Sequence, residues 1–392
     1  MNTSMNKKMK IGQFSDSFLP IVDGVGRVAF NYCNTLGKKG QEVVAICPME
    51  DMGYRGNFPF EIIDYYSATV PTTAYNAGVP DLDTHFKKRL EMNKFDIVHV
   101  HTPFIAGFEG LKYAEKHHVP VVGSFHSKYY DDFYQITKSK HLAKIGTDAL
   151  LKFYDHCDEV WTVSKNSADT LRSYGFKKEI IVIENGMEVK DIDESLAVKA
   201  KKHYQLNDEI VLLYVGQINW KKNLERILNA CALLKKDKIK FQLVFAGKGP
   251  HEKEVKKRAQ DLNLSDNFTM TGHILDEELL YGLYSLADLF VFPSQYDTYS
   301  MVVREAANAK TASVVVKDSA PAECIEDGIN GLLCLDNDLS LYKVLKDALK
   351  DRDKLKEMGI KAKESIPVSW DVIMDQALER YKNLIKNNSK KA

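Results

Sequence analysis

The chain has 392 residues with 54 basic and 54 acidic side chains, so its formal net charge is zero and no broad positive field draws it to nucleic acid. The length suits two domains, each able to bury its own core, and the six cysteines (Cys33, Cys47, Cys157, Cys231, Cys324 and Cys334) lack any CxxC or metal-ligand spacing and read as reduced thiols. No apolar run approaches the roughly 18 residues of a membrane span, and the start MNTSMNKKMKIG lacks the apolar core of a secretion signal; a cytoplasmic protein is expected, with peripheral contact at the inner face of a membrane left open.

In chain order, a first strand is expected over Met9–Ser15, with Asp16 just beyond it. A loop carrying Asp23-Gly24-Val25-Gly26 follows, then a helix to Lys39 and a strand at Glu42–Cys47. Gly24, Gly26 and Ala29 fit a GxGxxA dinucleotide fingerprint, with Glu50 where a ribose-binding acid would stand, which raises an NAD-dependent oxidoreductase as an alternative. That fingerprint needs its first glycine directly after the strand, whereas Pro20 and its neighbours intervene here. Strands at Asp96–His101 and Pro120–Ser124 flank the amphipathic helix GFEGLKYAEKHH, and Val160–Ser164 and Ile180–Ile183 complete the half. His101 and His126 each follow an apolar strand, where an imidazole can donate to a sugar hydroxyl or a phosphate, or equally pin a loop carbonyl. Between Lys128 and Lys152, Tyr129, Tyr130, Phe133 and Tyr134 mix with Lys138, Lys140, Lys144 and Lys152; that pattern suits a membrane interface or an ordinary surface helix.

The boundary between halves is placed after Glu184-Asn185-Gly186-Met187-Glu188, giving domains 1–188 and 189–369 and a final helix from Trp370. The second half opens with the strand VLLYVG and the segment Gly216-Gln217-Ile218-Asn219-Trp220-Lys221-Lys222-Asn223 ahead of a helix. Two ammonium groups there can meet a diphosphate, or merely be solvated. Glycine turns at Gly247 and at Thr271-Gly272-His273-Ile274 close later strands, and further strands are expected at Phe268–Thr271, Leu289–Phe292 and Ala312–Val316. The strand LADLFVFPS then runs through a loop, Gln295 to Ser300, into a helix that begins MVVREAANA. Asp297 in that loop, beside the free N–H groups of a helix start, can hold sugar hydroxyls next to a diphosphate. Glu305, about one turn into the helix, is within reach of a ribose. Capping and dipole preferences also place acids at such positions. Strands alternating with helices imply parallel, covered sheets, and two such domains facing each other form a cleft lined by strand carboxyl ends.

The stretch PSQYDTYSMVVREAANAKTASVVVKDSAPAECIEDGINGLLC resembles the nucleotide-sugar motif of the retaining family 4 glycosyltransferases (glycosyl transferases group 1), in which two acidic residues flank seven others. Asp297 stands where that pattern normally has Glu, one methylene longer. The resemblance covers nearly the whole chain and implies an α/β, GT-B architecture: two Rossmann-like, doubly wound parallel-sheet domains facing a central cleft, with the C-terminal helix, 370–392, rejoining the first. It implies a nucleoside-diphosphate sugar, a UDP-sugar favoured, held by Gly24, Val25, Gly216, Gln217, Lys221, Lys222, Gly247, Ile274, Asp297, Tyr299, Ser300, Met301 and Glu305. Lys222 matches the family's lysine, and Gln217 replaces an expected arginine. Asp16, Asp23 and His101 fall on the acceptor side. His126, Asp297 and Lys222 are the implied catalytic residues, on a front-face route in which the departing phosphate takes the acceptor's proton. Neither a metal ion nor a resident cofactor is expected, and the acceptor is a hydroxyl compound, a glycolipid or cell-envelope polysaccharide precursor included. Gln217 and Asp297 also motivate a second reading, a catalytically silent sugar-nucleotide-binding protein of the same fold.

Overall fold

The computed structural model describes residues 8–20, 23–49, 56–69 and 76–390. The chain divides into two compact units, Met1–Gly186 together with Trp370–Ala392, and Met187–Ser369. In the first, β1 (Lys10–Phe14) leads through α1 (Gly24–Lys38) to β2 (Glu42–Pro48) and β3 (Glu61–Tyr65), followed by a small antiparallel pair, β4 (Ser67–Thr69) and β5 (Asn76–Gly78). Then come α2 (Thr84–Met92), β6 (Ile97–Val100), α3 (Ile105–His117), β7 (Val121–Phe125), α4 (Tyr129–Thr137), α5 (Lys140–Asp155), β8 (Glu159–Thr162), α6 (Lys165–Tyr174) and β9 (Ile180–Val182). Seven of these strands form one parallel sheet, ordered β3-β2-β1-β6-β7-β8-β9. The order reverses between β1 and β6, so the loops leaving their carboxyl ends diverge and open a crevice there.

The second unit runs α7 (Ser195–His203), β10 (Ile210–Val215), α8 (Leu224–Lys236), β11 (Phe241–Ala246), α9 (Glu252–Asp261), β12 (Phe268–Gly272), α10 (Glu277–Leu286), β13 (Leu289–Phe292), α11 (Met301–Asn308), β14 (Ser313–Val316), β15 (Gly331–Cys334), α12 (Asp338–Ala348) and α13 (Arg352–Ser365). Its six-stranded parallel sheet is ordered β12-β11-β10-β13-β14-β15, reversing between β10 and β13. Runs such as IVLLYV in β10 are apolar without alternation because both sheet faces are covered. Leu212, Leu213, Val244, Phe290 and Val315 are fully buried at the centre of this core.

The chain ends in α14 (Trp370–Asn388), which packs on α1 of the first unit. Ile373, Met374 and Leu378 are buried there, each contributing about 1.5–3 kcal/mol. Arg380 forks onto Glu159 at 3.1 and 2.6 Å, and Lys39 reaches Asp375 at 2.8 Å.

Three sequence expectations are corrected. Asp23 to Gly26 are not a loop: Gly24 opens α1, and the Asp23 carboxylate caps the helix by accepting from the Gly26 N–H at 2.6 Å. This also removes the tight strand-to-glycine turn that the dinucleotide alternative required, since β1 closes at Phe14; Glu50 lies outside the described residues. Finally, the sequence reading contains neither β3 nor β15. EIIDY is an edge strand buried at alternate positions, and GLLC hides behind the turn residues that precede it.

Candidate functional site

In the second unit, the loops that leave β10 and β13 meet at the reversal of strand order. The β10 loop forms a single 3-10 turn, Trp220–Lys222, capped by Asn219, whose side chain accepts from the Lys221 N–H at 3.2 Å. Asn223 closes it in the left-handed region, φ 58°, and donates across the crevice to the Pro293 carbonyl at 2.8 Å. These contacts aim Lys222 at the β13 loop, where its Nζ lies 2.6 Å from Asp297 Oδ1. Ser294 donates to the other carboxylate oxygen, and the Tyr296 ring lies under both ammonium groups, 4.0 Å from Lys221 Nζ and 5.3 Å from Lys222 Nζ. Lys222 and Asp297 are 13% and 20% exposed in their side chains, a partly desolvated pair that a ligand can still reach.

Ser300 follows as the N-cap of α11, with φ 61°, its side chain making no cap bond and its hydroxyl buried without a partner among the described residues. Met301 is the first residue of that helix. Glu305, in its second turn, accepts from the hydroxyl of Tyr284 on α10 at 2.9 Å. Burial, and then the Glu305 charge, push the Tyr284 phenol well up, so it remains a donor. Tyr299 is buried, its ring 3.5 Å from the Arg304 guanidinium and its carbonyl accepting from it at 2.8 Å. Gly216 and Gly247 sit at adjacent strand ends, with the Gly216 N–H on the Ala246 carbonyl at 3.0 Å and the Gly247 N–H on the Gly272 carbonyl at 2.8 Å. Gly247 has φ 139°, and a Cβ there would lie 1.9 Å from the Gly216 oxygen, so only glycine fits. Ile274 is half-buried, whereas the Gln217 side chain is exposed.

In the first unit the corresponding reversal gathers Asp16, after β1, with Thr102, after β6. The Asp16 carboxylate accepts from Thr102 Oγ1 at 2.5 Å, from the Ala106 N–H at 2.9 Å and from the Tyr65 hydroxyl at 3.3 Å. It thereby serves the start of α3, whose own N-cap, Phe104, offers no side-chain acceptor. Burial raises its pKa from the ordinary value, and those hydrogen bonds oppose the shift. His99 in β6, His101 after β6 and His126 after β7 form a column of stacked rings, with centroids 4.3 Å apart for the first pair and 5.7 Å for the second. Burial depresses all three pKa values, that of His126 to about 4, so each imidazole is neutral at physiological pH. Gly24 and Val25 lie in the first turn of α1, behind the Asp23 cap.

The structure thus joins Lys222 to Asp297, and His101 to His126. It engages Asp23 and Tyr299 in contacts close by in sequence, and Asp16 with Tyr65, Thr102 and the start of α3. Sequence reasoning missed Ser294, Tyr284 and Tyr296, and it missed His99, Gln13 and Tyr381 around the histidines. The signal for His99 was present: in VHVH the two histidines stand two apart across the end of β6, a spacing that puts them on one face.

A family profile described as "Glycosyl transferases group 1" matches residues 198–365, and one described as "Glycosyltransferase Family 4" matches 22–191. The chain is 28% identical over 338 residues to the alpha-monoglucosyldiacylglycerol synthase of Streptococcus pneumoniae, covering 83% of this chain and 75% of that one. It is 26% identical to the alpha-monoglucosyldiacylglycerol synthase of Acholeplasma laidlawii, over 98% of this chain and 99% of that one. Among solved structures, Anabaena HepE in complex with UDP superposes with a TM-score of 0.76 at 16% identity, covering 96% of this chain and all of that one.

Proposed function

The chain belongs to the group 1, family 4 glycosyltransferases, of GT-B fold, and from that premise we propose that it moves a hexose from a UDP-sugar to a hydroxyl of a lipid acceptor. The observation that carries the reading is the Lys222–Asp297 pair, two side chains 75 positions apart that the topology brings together at the strand reversal of the second sheet. The donor's diphosphate takes the Lys222 ammonium from Asp297, and the released carboxylate accepts from a hexose hydroxyl. The first N–H groups of α11 face the same negative charge. Glu305, held by Tyr284, accepts from the ribose. Transfer then breaks the bond between the anomeric carbon and the phosphate oxygen and forms the bond to the acceptor oxygen on the same face, so configuration is retained. The acceptor's proton passes to the departing phosphate, whose charge Lys222 stabilises without a metal ion. His126, uncharged, contributes a hydrogen bond rather than a proton. The UDP preference is supported by HepE, solved with UDP, and the lipid acceptor by the two diacylglycerol-named relatives.

Calorimetry of the variants with UDP-glucose and with UDP tests the assignment. Asp297→Ala should weaken UDP-glucose about 10-fold to 100-fold, the scale of a charged hydrogen bond, while UDP binds as well or better because Lys222 is freed. Glu305→Ala should weaken both, since both carry the ribose. Equal losses of the two ligands in Asp297→Ala would refute the placement of the sugar.

We also read the α4–α5 pair as the surface that meets the acceptor's membrane. Tyr129 is buried, but Tyr134, Ile136, Leu142 and Ile145 are exposed, Ile136 by 80%, beside exposed Lys138, Lys140 and Lys144. An apolar and basic surface suits an anionic bilayer. Sedimentation with anionic liposomes at low salt should carry the protein down, and Ile136→Asp with Leu142→Asp should release it; no binding by the parent protein would sink the membrane reading.

A further inference from the structure

The histidine column is clamped at its inner end by a residue far away in sequence, Tyr381 of α14. Its hydroxyl lies 2.5 Å from His99 Nδ1 and 3.4 Å from Gln13 Nε2. Gln13 Oε1 in turn lies 2.7 Å from His101 Nε2, and His99 Nε2 lies 2.8 Å from Ser124 Oγ. All of these side chains are buried.

Two proton arrangements satisfy the contacts. In the first, the Gln13 amide donates to Tyr381, the tyrosine donates to His99 Nδ1, and His101 donates its Nε2–H to the Gln13 carbonyl. His101 Nδ1 is then a bare lone pair. In the second, the amide is turned, Gln13 donates to His101 Nε2, and His101 carries its proton on Nδ1. His101 Nδ1 is buried and has no hydrogen-bond partner among the described residues. The second arrangement therefore buries an orphaned donor, and the first only an unused acceptor; an orphaned N–H is the rarer and costlier fault. The first arrangement needs an acceptor for the Gln13 amide, and the Tyr381 hydroxyl is that acceptor.

We propose that Tyr381 is a positioning residue that, through Gln13, holds His101 as its Nε2-protonated tautomer and so fixes the dipole of the ring stacked on His126. The proposal rests on the reading of His126 as a site residue. A tautomer change reverses much of the in-plane dipole of a neutral imidazole, and the His101 and His126 rings lie at 15° to each other, so the field at His126 follows the state of His101. Trp161 stacks on the Tyr381 ring at 5.3 Å and 13°, which holds the phenol in place and lets a phenylalanine keep the packing.

The test is nitrogen NMR of the full-length protein labelled at histidine, with the His101 signals assigned by their loss in His101→Gln. The parent protein should show an unprotonated Nδ1 and a protonated Nε2 at His101. The reverse pattern would overturn the proposal without any variant of Tyr381. In Tyr381→Phe the His101 signals should shift toward the other tautomer or an average of both, with kcat about 10-fold lower and the KM for donor little changed. Ser124→Ala leaves Tyr381 and Gln13 in place and should leave His101 as it was. A lowered kcat with the tautomer unchanged would make Tyr381 merely structural, and a changed tautomer with kcat unchanged would remove its positioning role; either result refutes the proposal. Because the nitrogen spectrum needs no turnover, a parent protein inactive toward UDP-sugars would count against the proposed function and not against the tautomer.

Discussion

Ser300 holds a conformation that an ordinary side chain avoids, φ 61°, at the start of α11, and its hydroxyl is buried with no partner among the described residues. The left-handed conformation costs about 1–2 kcal/mol and an unsatisfied buried hydroxyl about 1–3 kcal/mol. Against this, glycine loses about 0.5–1 kcal/mol more chain entropy on folding. Ser300→Gly should therefore stabilise the protein by about 1 kcal/mol or more in urea unfolding, and a loss of stability would show that the hydroxyl is satisfied. If Ser300 serves the donor, the same variant should bind UDP-glucose more weakly despite its greater stability. Asp297, Glu305 and Lys222 were named from the sequence one at a time, by their places at a strand end or helix start, where capping also favours acids. Their partners were not: Ser294, Tyr284 and Tyr296 are common residue types whose roles arise only when the loops meet.

Among the elements, the histidine column sets how the fold responds to acid. His99, His101 and His126 have pKa values lowered by burial in the native state, whereas in the unfolded chain each titrates near 6.5. As the pH falls below about 6.5, the unfolded chain takes up protons that the native rings refuse, so stability declines from there towards pH 4, where His126 itself titrates. Asp16, raised by burial, acts in the opposite direction, over the range from its raised value down to the ordinary carboxylate value. Melting temperature should therefore fall between pH 7 and pH 5, and His99→Gln should flatten the fall; a flat profile in the parent protein would show that the rings charge freely. Continuously apolar strands such as β10 and β13 were legible in the sequence because burial on both faces leaves an unbroken apolar run between turn residues. The start of α1 was not, because Gly24-Val25-Gly26 reads as a turn until the Asp23 cap is seen. Nor was β3, whose alternating EIIDY gives a weak edge-strand signal.

At the scale of the whole molecule, the second unit is one continuous segment with its own core, while the first is assembled from both ends of the chain. A chain ending at Ser369 should keep the unfolding transition of the second unit and its binding of UDP. The first unit should melt at a lower temperature and be cut readily by protease, having lost the burial of Ile373, Met374, Ala377 and Tyr381. A truncated chain whose two units unfold as in the parent would contradict this. No local pattern could have linked Tyr381 to His99, which lie 282 positions apart.

The place of Tyr381 also orders events during synthesis. Every described strand of both sheets precedes α14 in the chain, so the second unit can fold before α14 is made, whereas the first cannot complete its core until α14 has emerged. The histidine column is closed only then. A chain stalled or clipped short of residue 381 carries the Lys222–Asp297 pair yet lacks the tyrosine hydroxyl beside His99.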